Sequence, residues 1–356
     1  MKELTDKKFR EQYIRKVLKR HLKVSIRSED IEYIDHGVMN WVLKLKTARG
    51  DFFLKQALKE VKKHTEVGPE LRSVSPQRIK YENNFIGRIK NLLPEHVQIP
   101  HIHFYDEGNN ILLMSDVAGA TGKLHEKVLL DGDFNAVAAA RVGQFLGRIH
   151  RRTHGKGYVI RQSRAADHKN WQRFLRMRTV DVHSRSIETE VLDELNRLYD
   201  TVLRHHTHEV LICIDCCPKN IIEKTDGRIG IFDFELATGV GDPAYDLGFL
   251  IGHYLIHALL AQDPGSCLQA VENAVRAYDT ELQGSRLNDL LLQRMPQYAG
   301  ATMLYRVAGA SRLKYISDDK RDNILFIGSK LIIERCNGDA DSIVSHLRES
   351  ITGSLH

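Results

Sequence analysis

Three residues within twenty positions have the types and spacing that phosphoryl transfer needs: Asp215, Asn220 and Asp233. Asp215 opens the run Asp215-Cys216-Cys217-Pro218-Lys219-Asn220, and Asp233 lies in Phe232-Asp233-Phe234-Glu235. This chemistry asks for a carboxylate to orient and deprotonate an acceptor hydroxyl. It also asks for hard oxygen ligands to hold magnesium. Asp215 suits the first role, and Asn220 and Asp233 suit the second. A lone Asp-Phe pair would mean nothing. An Asp five residues before an Asn, then a hairpin, then a second Asp is far more restrictive. The competing reading is a turn rich in Asp, Pro and Asn with a capping Asp.

These residues must be delivered by rigid ends of strands. The apolar run Val210 to Ile214 breaks into the Asp215 segment. Ile221-Ile222 and Ile229 to Phe232 flank Thr225-Asp226-Gly227, a hairpin signal. Upstream, Phe9, Tyr13, Val17 and Leu18 predict an amphipathic helix. Trp41 to Lys46 and Phe52 to Lys55 read as strands around an Arg49-Gly50 turn. Ser75-Pro76 predicts a cap and first turn for a helix carrying Ile79, Glu82, Phe85, Ile86 and Ile89, ending before Pro94. Ile102 to Tyr105 and Ile111 to Met114 predict two more strands around Gly108-Asn109-Asn110. After Met114 the strand signal fades. Val142, Phe145, Leu146 and Ile149 mark one helix, and Val191, Leu192, Leu195, Leu198 and Val202 mark another. From Tyr245 onward the chain reads as helices, and Leu247 to Ala261 is too short to span a bilayer, so it reads as a buried helix. The organisation expected is α+β: a strand-rich N-terminal lobe over 1–116, a connector near Ser115 to Val117, and a mostly helical lobe over 117–356.

The motifs resemble those of the aminoglycoside phosphotransferase and choline kinase group. That group usually carries His-Gly-Asp, four residues and Asn, then Ile-Asp-Phe-Glu, then Gly-Asp-Pro-x-x-Asp-Leu. Here the positions read Cys213-Ile214-Asp215, Asn220, Phe232-Asp233-Phe234-Glu235 and Gly241-Asp242-Pro243-Ala244-Tyr245-Asp246-Leu247. The resemblance spans roughly residues 30 to 255. It implies a two-lobe fold like that of protein kinases and a small-molecule kinase using ATP or GTP with magnesium. It further implies that Asp246 braces the catalytic loop; from the residues alone Asp246 would be a helix cap. Cys213 stands where the group's loop-bracing His usually stands. Lys55 follows a strand and Glu82 sits in the next helix, as a phosphate-binding lysine and its ion-pair partner should; an edge-strand surface lysine is the alternative. Leu54-Lys55-Gln56-Ala57-Leu58 is similar to the matching stretch of methylthioribose kinases. Leu113-Met114-Ser115-Asp116-Val117 is similar to the hinge that carries adenine, which adds Met114, Ser115 and Val117 to the nucleotide site. Gly37 lies where the phosphate-covering loop belongs, in Gly37-Val38-Met39-Asn40-Trp41.

Composition narrows the rest. The 356 residues are enough for two lobes, and 42% apolar with 28% charged residues describes a globular protein. A net charge of +6 suits an anionic ligand such as a nucleotide and makes no case for nucleic acid. Cys213, Cys216, Cys217, Cys267 and Cys336 are odd in number and crowded, which fits reduced thiols in a cytoplasmic protein. Met1 to Leu22 lacks a signal peptide's apolar core. His205, His206 and His208 lie near the cysteines but match no common zinc spacing. Cys216 and Cys217 read as small packing residues rather than nucleophiles. The basic stretch Arg161, Arg164, Lys169, Arg173, Arg176 and Arg178 reads first as a solvated helix face, and second as a surface that greets an anionic acceptor. The function expected is phosphorylation of a hydroxyl on a sugar, aminoglycoside, amino alcohol or related metabolite, with neither nucleic acid nor membrane as partner. The competing classes are a non-catalytic nucleotide-binding pseudokinase and a protein kinase. The protein kinase reading lacks an Arg before Asp215 and an Ala-Pro-Glu segment after Asp233. Oligomeric state and acceptor identity are not legible in the sequence.

Overall fold

The computed structural model describes residues 2–35, 39–60, 75–133, 135–182, 187–285, 287–336 and 339–352. The chain opens with α1 (Lys7–His21), then β1 (Ile31–Ile34), β2 (Asn40–Thr47), β3 (Gly50–Ala57), α2 (Arg78–Ile89), β4 (Val97–Gln98), β5 (Ile102–Asp106) and β6 (Ile111–Ser115). Strands β1, β2, β3, β6 and β5 form, in that order, one antiparallel sheet. The two-residue alternation of β3 decides what each face does. Phe52 and Leu54 point to one face, where Ile14, Val17 and Leu18 of α1 cover them together with Leu43, Leu45, Ile111 and Leu113. Ala57 falls in a second cluster with Ile79, Leu112 and Met114, against which Phe53 packs. Lys55 therefore faces the rest of the molecule rather than α1.

The second lobe starts with β7 (Lys123–Leu124), α3 (His125–Leu130), α4 (Ala136–Thr153), α5 (Arg164–Arg178) and α6 (Thr189–Thr201). It continues through β8 (His208–Ile212), β9 (Ile221–Glu223), β10 (Ile229–Ile231) and β11 (Thr238–Gly241). It closes with α7 (Pro243–Leu260), α8 (Gly265–Leu282), α9 (Asn288–Ala308), α10 (Asp318–Ile333) and α11 (Ala340–Thr352). The expected buried helix is α7, where every residue from Pro243 to Leu259 is buried. It lies against α9 closely enough that a Cβ on Gly248 would stand 2.4 Å from the Tyr298 Cβ, so only glycine fits there.

Two sequence expectations need correction. The Ser75-Pro76 pair does not begin α2: Ser75 Oγ accepts from the Gln77 amide at 3.2 Å in a preceding turn, and helical geometry starts at Arg78. After Met114, where the strand signal fades, the expected Ile221 to Phe232 hairpin forms, but the pairing around it goes further than the sequence indicates. Strand β7 pairs with β9, β4 runs parallel to β10, and β11 pairs with β8. These strands are two to five residues long, too short for alternation to stand out in the sequence.

Candidate active site

Strand β8 ends at Ile212, and the chain then turns sharply. Ile214 has φ +69°, a left-handed conformation that is costly for a β-branched residue. The surroundings hold it there. The amides of Cys213 and Ile214 donate to Asp246 Oδ2 at 2.7 Å and Oδ1 at 2.9 Å, and the Ile214 carbonyl accepts from Arg178 Nη1. Asp246 is thus a brace rather than a helix cap. The cap of α7 is Asp242, which accepts from the Ala244 amide at 3.2 Å and is gripped by Arg294 at 2.7 and 2.9 Å. His150 Nε2 lies 3.2 Å from Asp246, and its Nδ1 lies 2.8 Å from the Tyr278 hydroxyl.

Beyond this turn, Asp215 Oδ1 accepts from Arg178 Nη2 at 2.8 Å. Its Oδ2 meets Lys219 Nζ at 3.0 Å and Asn220 Nδ2 at 3.3 Å. Asn220 Nδ2 also donates to the Asp215 carbonyl at 2.9 Å. Both amide hydrogens of Asn220 are therefore committed, which leaves its side-chain oxygen as the atom that could ligate a metal. Burial alone would raise the Asp215 carboxyl. The charges of Lys219, then Arg178, then Arg306 outweigh it and hold the group well below the usual carboxylate range. Burial raises Cys213, Cys216 and Cys217, the last to about 12, so their thiols stay protonated at neutral pH.

Arg178 corrects the reading of the basic stretch as a solvated face. It is 4% exposed. Its guanidinium lies 4.1 Å from the Phe249 ring centre and contacts Asp215, the Ile214 carbonyl and the Tyr245 hydroxyl. Arg161 is also largely withdrawn, stacked 4.3 Å over Tyr81. Arg164 and Arg176 stay half exposed. Sequence reasoning named Arg178 only as part of the basic stretch and missed its burial against Asp215. The faint signal available was its place at the C-terminal end of a helix whose apolar stripe includes Trp171, Phe174 and Leu175.

The hairpin of β9 and β10 carries Asn220 at its entry and Asp233 just after its exit, and the Phe232 amide donates to the Asn220 carbonyl at 3.1 Å. Asp233 also has a left-handed φ of +68°. Its Oδ1 meets Lys55 Nζ at 2.5 Å. Lys55 further contacts Glu82 at 2.8 Å and Glu235 at 3.4 Å, so β3, α2 and the segment after β10 meet at one ammonium. Phe234 fixes that meeting from behind, stacked on Phe85 of α2 with centres 5.1 Å apart, and its amide donates to Glu82 at 3.3 Å. Oxygens of Glu82, Asp233 and Glu235 fall within 4.8 Å of one another. Burial dominates the Glu82 carboxyl; Lys55 opposes it, Asp233 and Glu235 add to it, and the group is pushed up to about 7. Asp233 is likewise raised, by burial first, and Lys55 only partly offsets this. Glu235 runs the other way. Lys55, Arg78 and the 2.7 Å bond from Asn40 outweigh its burial and lower it. Arg78, held by Asn40 Oδ1 at 3.0 and 3.2 Å and by the Met39 carbonyl at 2.7 Å, ties the start of β2 into the same group. The roles of Arg78 and Glu235 were not read from the sequence, although Glu235 stood inside the quoted motif.

The remaining expected nucleotide residues lie where β6 leaves the sheet. Met114 pairs with Phe53, and Ser115 pairs with Phe52. Ser115 Oγ accepts from the His101 amide at 2.9 Å, and Val117 is buried with its side chain against Gly230 of β10. Gly37 lies outside the described residues.

A model of the phosphotransferase enzyme family matches residues 30–282. The chain belongs to that family. Among solved structures, this phosphotransferase is similar to the macrolide 2′-phosphotransferase of Brachybacterium faecium, with 16% identity over 92% of this chain and 100% of that one and a TM-score of 0.51. It is also similar to APH(2″)-IIa in a ternary complex with streptomycin and ATP, with 13% identity, coverage of 94% and 100%, and a TM-score of 0.50. A third match is an aminoglycoside 2′-phosphotransferase-IIIa in its GDP complex, with 14% identity, coverage of 90% and 97%, and a TM-score of 0.50. At these identities the likeness establishes the fold, a two-lobe α+β architecture of the protein-kinase type. No curated protein sequence matches this phosphotransferase. Among the described residues no helix is long and apolar enough to cross a membrane.

Proposed function

We propose that this phosphotransferase moves the γ-phosphate of ATP or GTP to a hydroxyl of a sugar, aminoglycoside, amino alcohol or related metabolite. The lobe over 1–116 takes the nucleotide and the lobe over 117–356 takes the acceptor, in the cytoplasm. One observation carries the reading. Asp215 and Asn220 are hydrogen-bonded to each other, and the hairpin beyond Asn220 ends on an Asp233 that is already ion-paired to Lys55. A structural turn has no need for that convergence of four elements.

The geometry suggests how each residue works. Lys55 has three N–H donors and three carboxylates around it. A phosphate can gain the ammonium only if one carboxylate withdraws. Glu82 and Glu235 are 1% and 5% exposed, whereas Asp233 is 31% exposed, so Asp233 is the one free to turn toward a metal. Glu82 then keeps Lys55 in place against the α- and β-phosphates. Asp233 and the side-chain oxygen of Asn220 are hard ligands that would hold magnesium, which would supply positive charge against the phosphates there. Met114, Ser115 and Val117 line the nucleotide base, and Gly37 belongs to the loop over the phosphates. Asp246 and Cys213 hold the turn before Asp215.

Asp215 is so firmly ionised that it is a weak base. Its strength lies in orienting the hydroxyl as a hydrogen-bond acceptor and taking the proton late, when the bond to phosphorus is largely formed. The test is Asp215→Asn. Turnover, followed as magnesium-dependent nucleoside diphosphate release during an acceptor screen, should fall by orders of magnitude while nucleotide affinity stays nearly intact. Equal turnover in the variant would remove Asp215 from the mechanism. Tight magnesium-nucleotide binding with no turnover by the wild type on any acceptor would favour a binding module.

A further inference from the structure

Beside Asp215 lies a buried positive charge that the mechanism above does not use. Arg306 of α9 is 3% exposed. Among the described residues no carboxylate comes within ion-pair distance of it. Its bonds go to His253 Nε2 at 3.1 Å, to the Ser311 carbonyl at 3.1 Å and to Ser311 Oγ at 2.9 Å. Those bonds use Nε and Nη1, and Nη2 makes none among the described residues. His253 adds no negative charge; burial, with Arg306 next to it, keeps its ring neutral.

The position of Arg306 ties it to the reacting centre. Its guanidinium lies 5.3 Å from the Phe249 ring centre and 5.4 Å from that of Tyr305. The guanidinium of Arg178 lies 4.1 and 5.6 Å from the same two rings and reaches Asp215 at 2.8 Å. Lys219 approaches the other oxygen of Asp215 from a half-exposed position. Arg178 and Lys219 both pair with Asp215, and Arg306, which shares the Phe249 and Tyr305 rings with Arg178, has no such partner among the described residues, so positive charge outnumbers the carboxylate these three groups share. A buried guanidinium without a counter-ion is expensive, and an anion placed against it recovers that cost. The bonds to Ser311 explain how Arg306 is oriented but not why a full charge is kept there.

We propose that the acceptor carries an anionic group, a carboxylate or a phosphate, which docks on Arg306 and Lys219 beside its reacting hydroxyl. This rests on Asp215 facing the acceptor. It disfavours acceptors with several ammonium groups, which would add like charge to the existing excess. It also explains the presence of Lys219, whose charge would otherwise only weaken a base.

Calorimetric titration at saturating magnesium and a non-hydrolysable ATP or GTP analogue tests the idea, because the nucleotide then blocks the Lys55 site. The titrants are glycerol 3-phosphate, D-glycerate, glycerol and choline. At least one of the two anions should bind saturably, and which one does so separates a phosphate site from a carboxylate site. Lys219→Ala and Arg306→Gln should each weaken that binding about ten- to a hundred-fold and leave nucleotide affinity unchanged. Glycerol or choline binding as well as the anions would overturn the proposal, as would anion binding that neither variant weakens or no anion binding at all. If Arg306→Gln does not fold, the half-exposed Lys219→Ala still decides. Failure of the nucleotide itself to bind would sink the kinase reading, whereas nucleotide binding without anion binding sinks this inference alone.

Discussion

Ile214 offers a quantitative test of how the loop before Asp215 is held. It is fully buried, and its φ of +69° lies where only glycine is comfortable. Replacing it with alanine removes buried atoms and should cost about 2–5 kcal/mol. Going on from alanine to glycine at an ordinary buried position would cost about 0.8 kcal/mol for the lost methyl and about 0.5–1 kcal/mol for backbone freedom. At Ile214 the same step also relieves about 1–2 kcal/mol of left-handed strain, which offsets those losses. Ile214→Gly and Ile214→Ala should therefore unfold within about 1 kcal/mol of each other. Urea unfolding followed by circular dichroism, with equal slopes for the two variants, measures the gap. A glycine variant weaker than the alanine variant by more than about 1 kcal/mol would show that the turn is not strained as described. The result bears on function, because the same turn directs the Ile214 amide to Asp246 and its carbonyl to Arg178, the two groups that aim Asp215.

Three further outcomes follow from the site. Lys55→Ala and Glu82→Ala should each weaken nucleotide positioning, and the double variant should lose less than the sum, because the pair is in contact at 2.8 Å; strictly additive losses in kcat/KM would contradict that contact. Magnesium-nucleotide binding should release protons near pH 6–7. Glu82 sits at about 7 and Asp233 is raised, so both bind protons more tightly than in the unfolded chain, where Glu titrates near 4.5. Their contribution to stability is accordingly lost as pH rises through that window, and a divalent cation at Asp233 favours the ionised forms; calorimetry in buffers of different ionisation enthalpy reads the release, and no release at pH 6.5 would contradict it. Cys213→His should fold and stay active with about 1–3 kcal/mol less stability, since the thiol is buried and the larger ring must pack beside Asp246; a folded but inactive variant from an active wild type would show that the thiol has a role of its own.

The sequence by itself determined the elements that repeat a local pattern and the residues whose spacing is chemical. Phe9 to Leu18 and Trp41 to Lys55 carry periodicities long enough to read, Leu247 to Ala261 is a continuous apolar run, and they fold as α1, the β2–β3 hairpin and the buried α7. Asp215, Asn220 and Asp233 were legible as candidates because loop, hairpin and loop lie close along the chain, so their separation in space is set mostly by short-range geometry. Glu82 was legible as a candidate because its helix is amphipathic, but its contact with Lys55, 27 residues away, needed the sheet to place β3 against α2. Only the tertiary structure decided the charges around Asp215. Arg178 comes from 37 residues upstream and Arg306 from α9, and nothing in either segment distinguishes a guanidinium that ends in an aromatic box from one on a solvated face. The same holds for Ile214. A β-branched residue in a left-handed turn contradicts its local preference, and it persists because Asp246 and Arg178, both distant in sequence, hold the two sides of the peptide. Local preference writes itself into neighbouring residues, whereas burial, ion pairing and enforced strain arise from groups that meet only once the chain has closed on itself.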